Sequence, residues 1–188
     1  MHQRKPADPI VLPQPAHIEL VISRAPSMIP QMIRAAMATG CREDELLRAA
    51  RGHYDRARRQ LTVIGKRNKL RVINLEHFDG YKLFDALTAT VGPQRLFWHG
   101  KGEPYLNFAS NFSALVRRTA AWANANGEEF RPFTFHALRH WHAVEWLKAG
   151  KSIYDLQQRL AHSSIKTTEV YLDFLTPEEA RVAKQQTG

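Results

Sequence analysis

The last third of the chain carries so many helix start and stop signals that few ways of folding it remain. Thr134 stands where a side-chain oxygen can cap a helix, and Gly150 stands where that helix must stop. Ser152 opens the next helix, with Asp155 three residues on in the manner of a capping box. Ser164 is placed to cap a helix carrying Tyr171. Thr176-Pro177-Glu178-Glu179 is a full capping box with proline at the first helical position, so a short terminal helix follows. Upstream, helices are predicted over 18–25 and 27–38, broken at Pro26 and ended at Gly40, and another over 42–50. Residues 77–90 and 111–126 also read as helical. Two β-rich runs, 60–64 and 70–75, flank Gly65-Lys66-Arg67-Asn68-Lys69 and predict a hairpin with a basic tip. Residues 96–98 suggest a short strand. Residues 1–16 hold four prolines and no periodicity, which predicts a flexible arm or linker remnant ahead of one domain over 17–188. The fold class expected is mainly α with a small antiparallel β-sheet (α+β).

Charge narrows the partners. Lys and Arg number 27 against 18 Asp and Glu, a net +9, so a polyanion is the default ligand. Nine of those cations lie between Arg48 and Arg71 (48, 51, 56, 58, 59, 66, 67, 69 and 71) against one acid, Asp55. That concentration around the predicted hairpin suits a surface that tracks phosphates, with Arg48, Arg51, Arg58, Arg59, Arg67, Lys69, Arg71 and Lys166 as the candidate contacts. A lone cysteine, Cys41, rules out an internal disulfide and agrees with a reducing compartment. No apolar run approaches the ~20 residues that cross a bilayer, and no signal-peptide pattern opens the chain, so a cytoplasmic protein without a membrane partner is expected.

Six residues spread along the chain, Arg42, Lys66, His136, Arg139, His162 and Tyr171, form an ordered set of the types that phosphodiester chemistry needs. A phosphodiester repels nucleophiles and has a poor alkoxide leaving group. Its cleavage therefore needs cations on the non-bridging oxygens, an aligned nucleophile and a proton for the departing oxygen. Two arginines, a lysine, two histidines and a tyrosine could supply all of this without metal. His136 and His140, four apart on one helix face, have a common metal-ligand spacing. Acidic or cysteine ligands are missing beside them, and Arg139 between them would repel a dication. Neither metal nor cofactor is expected, and His140 reads as the maker of a core hydrogen bond.

The ordered set in Thr39-Gly40-Cys41-Arg42-Glu43-Asp44-Glu45, Gly65-Lys66-Arg67-Asn68-Lys69, His136-Ala137-Leu138-Arg139-His140, Leu160-Ala161-His162 and Tyr171 resembles the catalytic domain of the tyrosine recombinases, the phage integrase family, over about residues 18–179. The resemblance implies the DNA breaking–rejoining fold and site-specific recombination through a 3′-phosphotyrosine, without metal or ATP. It makes Arg42 and Arg139 the phosphate clamp, since arginine donates two parallel bonds to phosphate and keeps its charge. It makes Tyr171 the nucleophile, Lys66 the general acid for the 5′-oxygen, and His136 and His162 donors that assist proton transfer. Glu45 takes the family's acidic position, supporting the Arg42 loop. Double-stranded DNA becomes the partner. The apolar residues Leu172, Phe174, Leu175, Val182 and Ala183 imply a terminal helix that joins protomers in a homotetramer on DNA, with a monomer as the DNA-free alternative. The family's N-terminal core-binding domain is expected to be absent, with the chain either a fragment of a longer recombinase or a naturally short member. Departures are Ala161 where glycine is usual, Cys41 for a common leucine, and Trp141 after His140. Competing readings are a type IB topoisomerase-like relaxase, a catalytically silent DNA-binding regulator, and a metal-dependent nuclease that EDTA would inhibit.

Overall fold

The computed structural model describes residues 9–65, 68–89 and 91–185, and these form α1 (Pro15–Arg24), α2 (Ile29–Thr39), α3 (Glu43–Leu47), β1 (Tyr54–Asp55), β2 (Gln60–Ile64), β3 (Leu70–Asn74), α4 (Gly80–Thr88), α5 (Phe108–Ala125), α6 (Phe135–Lys148), α7 (Ile153–Leu160), α8 (Lys166–Glu169) and α9 (Pro177–Ala183). The strands make one antiparallel sheet in the order β1-β2-β3. Leu61 pairs with Ile73 and Val63 with Arg71, so these four share the inward face. The expected mainly α class with a small antiparallel sheet is what the chain adopts.

Local signals account for most boundaries. Thr134 Oγ1 accepts the Ala137 N–H at 3.3 Å and starts α6, a cap worth about 1 kcal/mol. Thr176 and Glu179 exchange side-chain-to-backbone bonds of 3.3 and 2.7 Å at the start of α9. Gly40 ends α2 with φ 68°, and a Cβ there would lie 2.6 Å from His142 Cδ2 and 2.8 Å from Leu160 Cδ2. Glycine is needed at this turn for both its φ and its lack of bulk.

Four expectations change. The helix after Arg42 stops at Leu47, because Ala50 bridges to Arg95 and a 3-10 turn takes over at Arg51–His53. Residues 96–98 form no strand; Leu96 and Phe97 are buried between two isolated bridges. Ser164 does not cap through its side chain: α8 begins at Lys166, and Ser164 offers only its carbonyl to the Thr167 N–H. Tyr171 accordingly sits in a 3-10 turn, Val170–Phe174, and not on a regular helix. The described part of the supposed flexible arm is packed. Pro13 is buried, Ile10 and Leu12 lie on the C-terminal core, and α1 already begins at Pro15.

The core has two parts. The larger joins α1, α2, the sheet, α5 and the first half of α6. The smaller joins the second half of α6, α7, Tyr171 and α9. Helix α6 runs through both, with Leu138 in one and Leu147 in the other, both fully buried. Each such leucine contributes about 2 kcal/mol of burial. Arg139 lies between these two leucines, at the seam.

Candidate active site

The seam collects the polar groups. Arg139 is 2% exposed, and its two Nη atoms donate to Gly40 O and Leu160 O, each at 2.6 Å. One carbonyl ends α2 in the larger core, and the other ends α7 in the smaller. Burial, then the field of Arg42, lowers its pKa to about 10, so it remains a cation at neutral pH. Arg42 caps α3, where its own N–H donates to Glu45 Oε2 at 2.7 Å and its guanidinium lies 3.5 Å from Glu45 Oε1. The Arg42 side chain keeps 40% exposure, enough to meet a phosphate from solvent.

Tyr171 is 2% exposed. Burial raises its pKa, and the positive fields of Arg139 and Arg42 act against that rise. Its Oη lies 2.9 Å from His140 Nδ1. His162 follows Ala161, which takes a left-handed φ of 52°, and the His162 N–H closes on Gln157 O in a Schellman turn. Its Nδ1 meets Thr168 Oγ1 at 2.9 Å, which fixes the ring and leaves Nε2 for a substrate. Burial first, then neighbouring cations, lowers His162 to about 4; burial, then His136 and Arg139, takes His140 to about 4. His136 is lowered by burial, Arg139 and Arg42. All three imidazoles are neutral at pH 7, able to donate from one nitrogen and accept on the other.

Five of the six proposed catalytic residues therefore converge: Arg42, His136, Arg139, His162 and Tyr171 share one electrostatic neighbourhood. Lys66 and Arg67 lie outside the described residues. Gly65 and Lys69, on either side of them, border a groove of about 690 Å³ with Arg42, Arg48 and Ala161, so the hairpin base faces the same opening.

The candidate DNA contacts divide. Arg48 pairs with Asp44 at 3.0 Å, Arg58 with Asp55 at 3.6 Å, and Arg59 with Glu76 at 3.6 Å while stacking 4.1 Å over Tyr81. Such exposed pairs are worth under about 1 kcal/mol and can yield to a phosphate. Lys69 and Lys166 are exposed. Arg51 donates through Nε to Pro93 O at 2.8 Å. Arg71 also lines the groove at the hairpin base, but its guanidinium is already engaged: it is clamped to both oxygens of Glu45, and its Nε donates to Arg159 O at 3.0 Å, so it holds the site together. Strand alternation carried this signal, since Arg71 shares the inward face with Ile73.

Glu45, 1% exposed, would be raised by burial, but the bonds and charge of Arg71 outweigh that and hold it below the usual carboxylate value. One contributor escaped the sequence reading. Arg159 is buried, donating to His142 Nε2, Asn74 O and Ala38 O at 2.9–3.0 Å, and it stacks 4.6 Å over Trp146. His140, expected to make a core hydrogen bond, makes it to the buried phenol of Tyr171. Among the described residues no group of three or more His, Cys, Asp and Glu is arranged to hold a metal.

The chain matches the Phage integrase family over residues 21–176. Tyrosine recombinase XerC of Herpetosiphon aurantiacus is 31% identical over 144 residues, covering 74% of this chain and 46% of the relative. Tyrosine recombinase XerD of Bradyrhizobium diazoefficiens is 28% identical over 150 residues, with 74% and 46% covered. The chain thus spans about half the length of these relatives. Among solved structures, the Tn1549 transposon integrase in complex with circular intermediate DNA superposes with a TM-score of 0.72 at 22% identity, covering 93% of this chain and 66% of that one. The catalytic domain of bacteriophage HP1 integrase gives 0.64 at 20%, covering 93% and 94%. At these identities the likeness shows a common fold.

Proposed function

This chain belongs to the phage integrase family, and on that premise we propose that it is the strand-cleaving and rejoining part of a site-specific DNA recombinase. The observation that carries the reading is the burial of the Tyr171 phenol within the fields of Arg139 and Arg42, beside three neutral histidines. The scissile phosphate enters between the two guanidiniums, which hold its non-bridging oxygens and stabilise the charge that builds up in the transition state. His136 and His162 donate to the same oxygens. Tyr171 attacks phosphorus to give a 3′-phosphotyrosine, and Lys66 protonates the departing 5′-oxygen. The phosphotyrosine keeps the energy of the broken bond, so a new 5′-hydroxyl can displace it without ATP.

Duplex DNA lies over the basic surface of Arg48, Arg58, Arg59, Lys69 and Lys166, in the compartment that holds DNA, the cytoplasm of a cell. Among the described residues no helix is long and apolar enough to cross a membrane. Helix α9 packs on α6 of its own chain and buries Ala183. In the assembled state it passes to a neighbouring protomer and builds the tetramer.

A nicked suicide substrate tests the reading, because loss of a short 5′ fragment traps the covalent product. Wild type should link to the 3′ end with or without EDTA, and Tyr171→Phe should bind the same DNA without linking. Binding without linkage by wild type identifies a silent regulator. Supercoil relaxation without strand exchange identifies a relaxase.

A further inference from the structure

Tyr171 needs somewhere to put its proton. Its Oη lies 2.9 Å from His140 Nδ1, with the rings 5.7 Å apart and inclined at 50°. His140 follows Arg139 on α6, so the residue that holds phosphate and the residue that meets the nucleophile are neighbours on one rigid helix. His136 stands one turn earlier, its ring 4.7 Å from that of His140 and edge-on to it. His162 is turned toward Thr168 instead. Among the described residues, His140 is the side chain in hydrogen-bond contact with the phenol.

We propose that His140 is a catalytic residue, the general base that takes the Tyr171 proton during cleavage and returns it during rejoining. The proposal rests on the recombinase reading above and assigns a reacting role that the six-residue set does not contain. As Oη bonds to phosphorus, the phenol proton passes to Nδ1 and the bond from phosphorus to the 5′-oxygen breaks. That oxygen takes its proton from a separate acid, Lys66 in the reading above. In the reverse step a 5′-hydroxyl attacks phosphorus, and the His140 imidazolium reprotonates the departing phenolate.

Two features suit the task. His140 is neutral before DNA binds, so Nδ1 is free to accept in the Nε2–H tautomer. An arriving phosphate then offsets the Arg139 field, one of the influences that hold His140 down, and so raises its proton affinity at the moment of attack. The same contact with the proton reversed defines the alternative outcome of the test. If Nδ1 donated to the phenol oxygen, His140 would be a latch that restrains the nucleophile.

The experiment uses the full chain, a nicked suicide substrate, and the variants His140→Ala and His140→Gln, the second retaining a hydrogen-bonding side chain of similar reach. Single-turnover cleavage is followed from pH 6 to 9, with DNA affinity measured in parallel. A general base contributes on the order of 10²–10⁴-fold. Both variants should be slower by that factor at pH 7 with DNA affinity kept. Their rates should rise tenfold per pH unit as solvent comes to supply the phenolate, while wild type stays level. A substrate with sulfur in place of the bridging 5′-oxygen needs no acid, so it should rescue Lys66→Ala and leave the His140 variants slow. Variants as fast as wild type overturn the proposal, and variants faster than wild type overturn it and establish the latch. A deficit that is constant with pH, one cured by the sulfur substrate, or one explained by lost DNA affinity also overturns it. If wild type forms no adduct, the recombinase reading fails and this one with it. If wild type forms the adduct and the variants share its pH profile, this proposal fails alone.

Discussion

Replacing Arg71 with methionine probes the support of the whole site. Arg71 spans three segments: it clamps Glu45 on α3, belongs to β3 of the hairpin, and donates to Arg159 O near the end of α7. Glu45 is 1% exposed and Arg71 13%, so the pair is largely out of water. Breaking a buried pair from one side costs about 3–5 kcal/mol, because the remaining charge is stranded. Glu45 keeps the Arg42 N–H at 2.7 Å and its guanidinium at 3.5 Å, which places Arg71→Met at the lower end, about 3 kcal/mol. For a chain of this size that corresponds to a Tm lower by roughly 6–12 °C. The pH dependence follows from the depressed carboxyl. Its contribution is present above the unfolded value of 4.5 and is lost as pH falls through the lower folded value. Urea unfolding at pH 7 and in acid should therefore show a deficit that shrinks as pH falls below 4.5 and through the lower folded value of the carboxyl. Adding Glu45→Gln should recover much of the stability at pH 7, since no buried charge is then left alone. A deficit below about 1 kcal/mol at pH 7, or one undiminished in acid, would refute the assignment of Arg71 to the interior.

Ala161→Gly should stabilise the protein by about 0.5–1 kcal/mol, since an L-residue at this left-handed φ of 52° costs about 1–2 kcal/mol and glycine's greater unfolded freedom returns part of it. A lower Tm would show that the turn before His162 is not strained. Stability should also fall as pH drops from 6.5 toward 4. Burial, reinforced by neighbouring charges, lowers His140 and His162 to about 4 and His142 well below 6.5, so the unfolded chain binds the extra protons. All three histidines act in the same direction across that window, each favouring the unfolded chain as it takes up a proton. A urea midpoint unchanged between pH 7 and pH 5 would contradict their burial.

Local rules were readable where one residue settles a boundary. Gly40, Thr134, Gly150 and the Thr176–Glu179 box mark real ends because their physics is confined to one turn. The reading failed where long-range contact decides. Ala50 leaves the helical pattern to bridge Arg95, 45 positions on, and the 3-10 turn at Tyr171 packs in a core that includes α6, α7 and α9. The site followed the same division. Arg42, His136, Arg139, His162 and Tyr171 were legible as an ordered set of chemical types. Charge counting put Arg71 on the DNA surface, whereas the period of two in β3 points it inward. The partner of His140 depended on how the 3-10 turn folds back on α6, which no local pattern encodes.

Arginines do at the seam what leucines do within each core. Arg139 takes one carbonyl from the end of α2 and one from the end of α7, and Arg159 takes one from Ala38 and one from Asn74. A helix's last carbonyls lack partners within the helix, and a planar fork can satisfy two at once. Both arginines are titrated down to about 10 by burial first, so their charge is held at a cost that carbonyl dipoles offset only partly. On the proposed recombinase reading, an entering phosphate would supply the anion these dipoles only approximate. The two core halves bring Arg42 and Tyr171 from opposite sides, and Arg139 alone among the five converging groups bonds to a carbonyl from each. The position of Tyr171 relative to the Arg42 and Arg139 guanidiniums is therefore set by how those halves sit on one another. Phosphate binding at Arg139 should tighten that arrangement as well as neutralise its charge.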